Sequence, residues 1–329
     1  MQCDESGLIK VNFVFKDNGR GPELKEEIRL GSDGLVSEFK VTGTSTFGAP
    51  INESFRREGK QAQWQSTSEK GNKQIDGPAL YIPLSSSFEI GSISIGALAA
   101  SANNQLPLLP TGTLSQTKIA ELEVTNGEKK QKVQLLAQTG IGLSPSFMWA
   151  TTGEKPRLFG VIVPGYMKAL EEGWEKNADA MAAMQKSAEA KVLNDWAKKL
   201  QHPLQGLTVI KNTRIFDSDK ATVGAPSDVY VLRGRIAAIL PAGSPIRGAN
   251  AEIDAAGRIM LPGLFDMHGH VGRWDGGLNI AAGVTTVRDL GNENAQVQLI
   301  IDEVADGKLL SPQIVPAGFL EGESPFSAN

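Results

Sequence analysis

Two of the three histidines in this 329-residue sequence, His268 and His270, are separated by a single residue. The run around them, residues 258–271, reads RIMLPGLFDMHGHV. Side chains on an extended strand alternate between its two faces. A strand over 264–270 would therefore put Leu264, Asp266, His268 and His270 on one face. Residues two apart on a strand stand roughly 6.5–7 Å apart at the backbone, and two imidazoles at that distance can converge on one metal ion. Gly269 leaves the opposite face bare between them, which suits close packing against another element. On spacing alone a second reading stays open: a pair of solvated or core histidines with no ligand.

The neighbouring residues add a family resemblance. PGLFDMHGH resembles the first barrel strand of the amidohydrolase superfamily, whose signature is an apolar Pro-Gly-apolar-x-Asp-x-His-x-His. Downstream, GVTTVRDLGN (283–292) resembles the second strand of the branch that holds imidazolonepropionase-like and prolidase-like enzymes. Upstream, LTVIKNTRIFD (207–217) resembles the opening of the small β-domain that precedes the barrel in that superfamily. The resemblance covers residues 207–329, with the motifs in family order.

That resemblance implies metal-assisted hydrolysis of a small-molecule substrate. The bond is a non-peptide C–N bond in a cyclic amide or related ring, or the amide of a dipeptide. One or two divalent ions, zinc foremost, would activate water, with His268 and His270 as ligands. Histidine also suits iron, nickel and copper. Asp266 and Asp289 are the candidates for carboxylates that orient a ligand from behind. For Asp266 the competing role is a strand-end turn acceptor. Arg288 and Asp289 are adjacent, so only one of them faces inward. Glu321, in GFLEGESPF, is a candidate substrate contact or a solvated loop carboxylate. In the family, later strands supply a bridging carboxylated lysine or glutamate, two more histidines and an aspartate that acts as general base. Such a barrel takes roughly 250 residues, and far fewer follow His270. The expectation is a fragment of a longer enzyme, inactive alone, or a chain completed by a second one.

Composition narrows the alternatives. Hydrophobic residues make up 40% and charged residues 21%, ordinary for a globular protein. A net charge of -4 gives no basic face for nucleic acid. The lone cysteine, Cys3, excludes an internal disulfide and a cysteine-rich zinc site. No apolar run approaches the roughly 18–20 residues of a membrane span, and the N-terminus lacks the segments of a signal peptide. The compartment stays open, export included if translation starts upstream of Met1, and so does homo-oligomerisation.

Before the motif region the pattern is β. LIKVNFVF (8–15), EEIRL (26–30) and LVSEFKVTG (35–43) alternate between Gly, Asp, Asn and Pro clusters. Similar runs continue to RLFGVIV (157–163), pointing to an antiparallel meander or open sandwich over residues 1–165. SISIGALAASA (92–102) reads as a helix ended by the Pro-rich QLPLLPTG. Arg20, in the glycine-rich turn DNGRGPEL (17–24), is a candidate anion contact or an ordinary hairpin residue. Residues 166–205 read as a helical connector. There Met181, Met184, Ala188, Val192, Trp196 and Leu200 form a stripe at three- and four-residue spacing. His202 falls in its exit turn.

Short strands over 206–262 give part of a β-domain, with Arg233-Gly234-Arg235 in a tight hairpin turn that needs positive φ at the glycine. Residues 263–329 alternate β-α-β-α-β, the start of a TIM-type (β/α) barrel. The opposing reading, from another class, is a non-catalytic β-rich protein that binds a small molecule or lipid and carries a vestigial barrel stub.

Overall fold

A computed structural model describes residues 2–3, 7–16, 19–164, 166–204 and 206–318. It divides into two compact units, residues 1–189 and 190–329.

The first unit is built from two seven-stranded sheets. One is a pure antiparallel meander in chain order: β1 (Gln2–Cys3), β2 (Ile9–Val14), β3 (Glu23–Leu30), β4 (Val36–Thr44), β5 (Pro50–Glu58), β6 (Gln61–Gln65) and β7 (Lys70–Gln74). Alternation puts Leu24, Ile28, Phe39, Val41, Phe55 and Trp64 on its inner face, where they form one core cluster with Tyr81 and Ile90. The second sheet starts with β8 (Leu80–Tyr81) and β9 (Gln105–Leu109), which pair in parallel. It continues through β10 (Thr113–Asn126), β11 (Lys129–Thr139), β12 (Ser146–Thr151), β13 (Leu158–Val163) and β14 (Met167–Leu170), all antiparallel.

Helix α1 (Phe88–Ala99) starts where the Ser87 side chain accepts the Glu89 amide, an N-cap that satisfies one otherwise orphaned donor. It feeds three core clusters: Ile90 joins the meander, Ile95 packs with Leu136 and Ala150, and Leu98 packs with Leu80, Leu106 and Leu114. The Pro-rich run expected only to end this helix is instead strand β9. Pro107 is the last residue of β9 paired with β10, and the pairing with β8 starts beyond it at Leu108, so the proline sits where one pairing hands over to the other.

Helix α2 (Ala178–Leu200) differs from the expected stripe. Its buried positions are Met181, Gln185, Glu189, Leu193 and Ala197, a strict four-residue repeat, while Trp196 and Leu200 are exposed. Gln185 is inside because it is fully used. Its Oε1 accepts the Trp149 indole N–H at 3.1 Å, and its Nε2 donates to the Ile162 carbonyl at 3.0 Å and to Glu189 at 2.8 Å. The segment expected to be a pure connector also holds strand β14, which completes the second sheet.

In the second unit, β15 (Leu207–Asp217), β16 (Thr222–Leu232) and β17 (Arg235–Pro241) run antiparallel. β18 (Ala251–Asp254) and β19 (Ile259–Met260) pair with β15 in parallel. Arg233 and Gly234 both take positive φ, 52° and 71°, and form the two-residue turn between β16 and β17. A three-stranded parallel sheet follows: β20 (Leu264–Gly269), β21 (Val284–Asp289) and β22 (Gln313–Pro316), in that order. The crossovers are α3 (Asp275–Ala281) and α4 (Asn294–Ala305). Parallel neighbours need such crossovers, because a hairpin cannot reverse the chain twice. Leu193, Ile300 and Leu309 form this unit's apolar cluster, with Trp274, Val304 and Ile314 against it. Among the described residues, no helix is long and apolar enough to cross a membrane.

Candidate metal centre

The histidine pair sits at the carboxyl end of β20, where it runs into the loop before α3. The strand ends at Gly269, so His270 is the first residue past it. The pairing with β21 shifts register between Asp266 and Gly269, so strict alternation is interrupted inside the motif. The rings nevertheless come together. Their centroids are 5.6 Å apart and their planes lie at 72°, and both residues are exposed.

Gly269 is a packing requirement. A Cβ there would stand 2.4 Å from Val287 Cγ1 and 3.2 Å from Asp266 Oδ2, so β20 and β21 approach closely only without a side chain. Asp266 turns its carboxylate onto its own strand: Oδ1 accepts the His268 backbone N–H at 3.0 Å. That is the turn-acceptor geometry, rather than a bond to an imidazole nitrogen.

His270 is oriented through its ring. Nδ1 lies 2.8 Å from the Gly291 carbonyl oxygen. A carbonyl only accepts, so Nδ1 carries a proton in this bond, and in the neutral ring that leaves the lone pair on Nε2.

Asp289, at the end of β21, is 1% exposed. Its Oδ2 accepts the Val271 N–H at 2.8 Å and the Asn292 side-chain amide at 2.7 Å, and its Oδ1 accepts the Gly291 N–H at 3.1 Å. The neighbouring Arg288 is exposed, as adjacent positions on a strand require. Asp289 thus ties the exits of β20 and β21 together. Gly291 and Asn292 were not singled out by sequence. An aspartate two residues before a glycine at a strand exit is an Asx-turn signal, and it points to both.

Glu321 lies outside the described residues. His202 is an exposed residue beyond the end of α2. Arg20 is exposed in the turn between β2 and β3, next to residues that are not described.

The two imidazoles suit the first two positions of a divalent-ion site, since they are nitrogen donors side by side with one ring already oriented through its Nδ1. They do not complete one. Among the described residues, no group of three or more His, Cys, Asp or Glu is arranged to hold a metal.

No family model matches the chain. The adenine deaminase of Chelativorans sp. (strain BNC1) is 44% identical over 64 residues, which is 19% of this chain and 10% of that protein. Among solved structures, molinate hydrolase is 25% identical over 38% of this chain and 33% of its own, with a TM-score of 0.32. Phenylurea hydrolase B is 26% identical over 37% of this chain and 33% of its own, with a TM-score of 0.31. A Xaa-Pro dipeptidase is 23% identical over 35% of this chain and 34% of its own, with a TM-score of 0.32. The chain therefore spans a tenth of its curated relative and about a third of these solved chains. Over 35–39% of its length, it is the amidohydrolase superfamily that this chain resembles.

Proposed function

We propose that residues 207–318 form the opening part of a metal-dependent hydrolase of amidohydrolase type. His268 and His270 are the first two protein ligands of a divalent ion, zinc before others. The substrate class is a small molecule with a non-peptide C–N bond, a cyclic amide or related ring, or a dipeptide. When bound, such an ion lowers the pKa of water and polarises the scissile carbonyl.

The chain's own residues contribute position. Gly269 lets β20 lie against β21, the Gly291 carbonyl holds the His270 ring proton, and His268 stands beside that ring. The observation that carries this reading is the His270 Nδ1 to Gly291 bond next to the His268 ring. A solvated histidine pair has no reason to fix one tautomer, whereas a ligand does. The general base and remaining ligands belong to strands beyond β22, in the resembling fold, so this segment alone should not turn over substrate. Equilibrium dialysis of the full chain against zinc tests the reading. Retention that disappears in the double variant His268→Ala, His270→Ala supports it, and equal retention in both overturns it.

One observation favours the non-catalytic reading for the first unit. A groove of about 700 Å³, lined by Ile75, Pro78, Ala79, Leu106, Pro107 and Leu108, opens beside the end of α1. Its mostly apolar wall suits a small apolar ligand. Displacement of an environment-sensitive dye from the full chain by such ligands supports that role, and absence of dye binding removes it.

A further inference from the structure

The Asp289 carboxylate makes three hydrogen bonds to neutral donors, and all three bear on one imidazole. The Val271 N–H belongs to the peptide that directly follows the His270 α-carbon, so its 2.8 Å bond to Oδ2 fixes the backbone that carries the ring. The Gly291 N–H, 3.1 Å from Oδ1, and the Asn292 side-chain amide, 2.7 Å from Oδ2, flank the peptide whose carbonyl takes the ring proton. One buried side chain therefore holds both the bearer and the acceptor of the 2.8 Å His270 Nδ1 to Gly291 bond. The main chain adds to this: the Leu290 N–H donates to the Gly269 carbonyl at 3.1 Å and the Ala317 N–H to the Asp289 carbonyl at 2.8 Å. Asp289 lies on the middle strand of the three, with β20 and β22 on either side.

From this arrangement we infer that Asp289 is a positioning residue that sets the His270 tautomer. It acts through the Gly291–Asn292 peptide and keeps Nδ1 protonated and Nε2 free. The inference rests on the metal-ligand reading for its purpose but not for its geometry. Free imidazole in water does not hold this tautomer by itself, so a uniform Nδ1–H form needs an acceptor held in place. Asparagine at 289 cannot reproduce the arrangement, because one end of its amide would present N–H groups to donors already there.

The test is the ring nitrogen spectrum of the metal-free full chain with nitrogen-15 histidine. With only three histidines, single variants assign every signal. The wild type is expected to show His270 with a protonated Nδ1 and a bare Nε2. Asp289→Asn should convert it to a mixture containing the Nε2–H form, with His202 unchanged. Asn292→Ala leaves the carboxylate and two of its bonds in place and should have a smaller effect. A wild-type His270 in the Nε2–H form overturns the inference, whether or not the Asp289 variant folds. So does an Asp289→Asn protein with native amide dispersion and an unaltered His270. Zinc retention separates this inference from the reading beneath it. A fixed tautomer without histidine-dependent zinc leaves the positioning role and removes the metal. Histidine-dependent zinc with a tautomer indifferent to Asp289 does the reverse.

Discussion

At Gly269 a single methyl group is already too much. The nearest atom, Val287 Cγ1, is part of a buried β-branched side chain with little freedom to move away. Gly269→Ala should destabilise the second unit by about 1–3 kcal/mol, the usual range for overpacking, and urea unfolding would measure it. Glu26 points into the first unit at 2% exposure and meets the Ser87 amide and hydroxyl. Burial pushes its carboxyl above the ordinary value of 4.5, and the two Ser87 bonds pull the other way. A carboxyl raised in the native state binds more protons there than in the unfolded chain. Its contribution is complete below the ordinary value and is lost as pH rises through the raised native one. Glu26→Gln keeps an acceptor and a donor for Ser87, so that part of the pH–stability profile should flatten. It should also lower Glu89, whose carboxyl is raised first by its own burial and then by the Glu26 charge. An unchanged profile would contradict this assignment. The histidine spacing and the bare face at Gly269 were legible in the residue order itself, whereas the register shift between Asp266 and Gly269 was not, because the pairing with β21 sets it. Asp289 was legible as a candidate, and its spacing to Gly291 hints at the turn, but its link to the His270 ring was not, because that runs through the Gly291 carbonyl and the Val271 amide.

Helix α2 shows the same limit one level up. Its existence was legible in the run of good helix formers over 178–200, and so was the acidic start at Asp179 with Lys198 and Lys199 at the end. Its buried face was not. A hydrophobic-stripe reading turns Gln185 and Glu189 outward, yet the Trp149 indole and the Ile162 carbonyl supply partners that make an interior glutamine stable. Gln185→Leu removes those partners without changing the helix. It should destabilise the protein by about 1–3 kcal/mol, the desolvation cost of unsatisfied buried groups. A urea midpoint that falls at constant slope would show it, and a rise would mean that apolar packing outweighs the network. Strand β7 (KGNKQ) was invisible for the opposite reason. It carries no apolar side chain, and it is a strand because β6 offers its backbone partners and because Gly71 lies against the Trp64 ring. Strand β9 was hidden by its proline, which sequence rules place outside sheet interiors.

On the scale of the whole molecule, the second unit leaves much apolar surface in water. Phe265 is 65% and Met267 58% exposed, and Leu261, Leu264 and Val315 are exposed as well. The parallel sheet of β20, β21 and β22 has an unpaired edge on each outer strand among the described residues. Open edges with exposed apolar side chains template further pairing. The chain is therefore expected to self-associate with rising concentration unless further strands cover this sheet. Phe265→Ser with Met267→Ser should reduce that association in sedimentation velocity and change stability by less than about 0.5 kcal/mol, as for ordinary surface sites. Association that persists in this variant would place the sticky surface elsewhere. The β-rich character, the long helix and the parallel βαβ order could all be read from periodicity. The edges of the first unit's sheets could not, because pairing partners far apart in sequence decide them.

Whether His268 and His270 hold a metal together is read from the coordination shell of zinc on the full chain, by X-ray absorption at the zinc edge. Two imidazole nitrogens are expected in that shell, both lost in the double variant His268→Ala, His270→Ala. A shell of oxygen donors alone, or one that the double variant leaves unaltered, would contradict shared ligation by the pair.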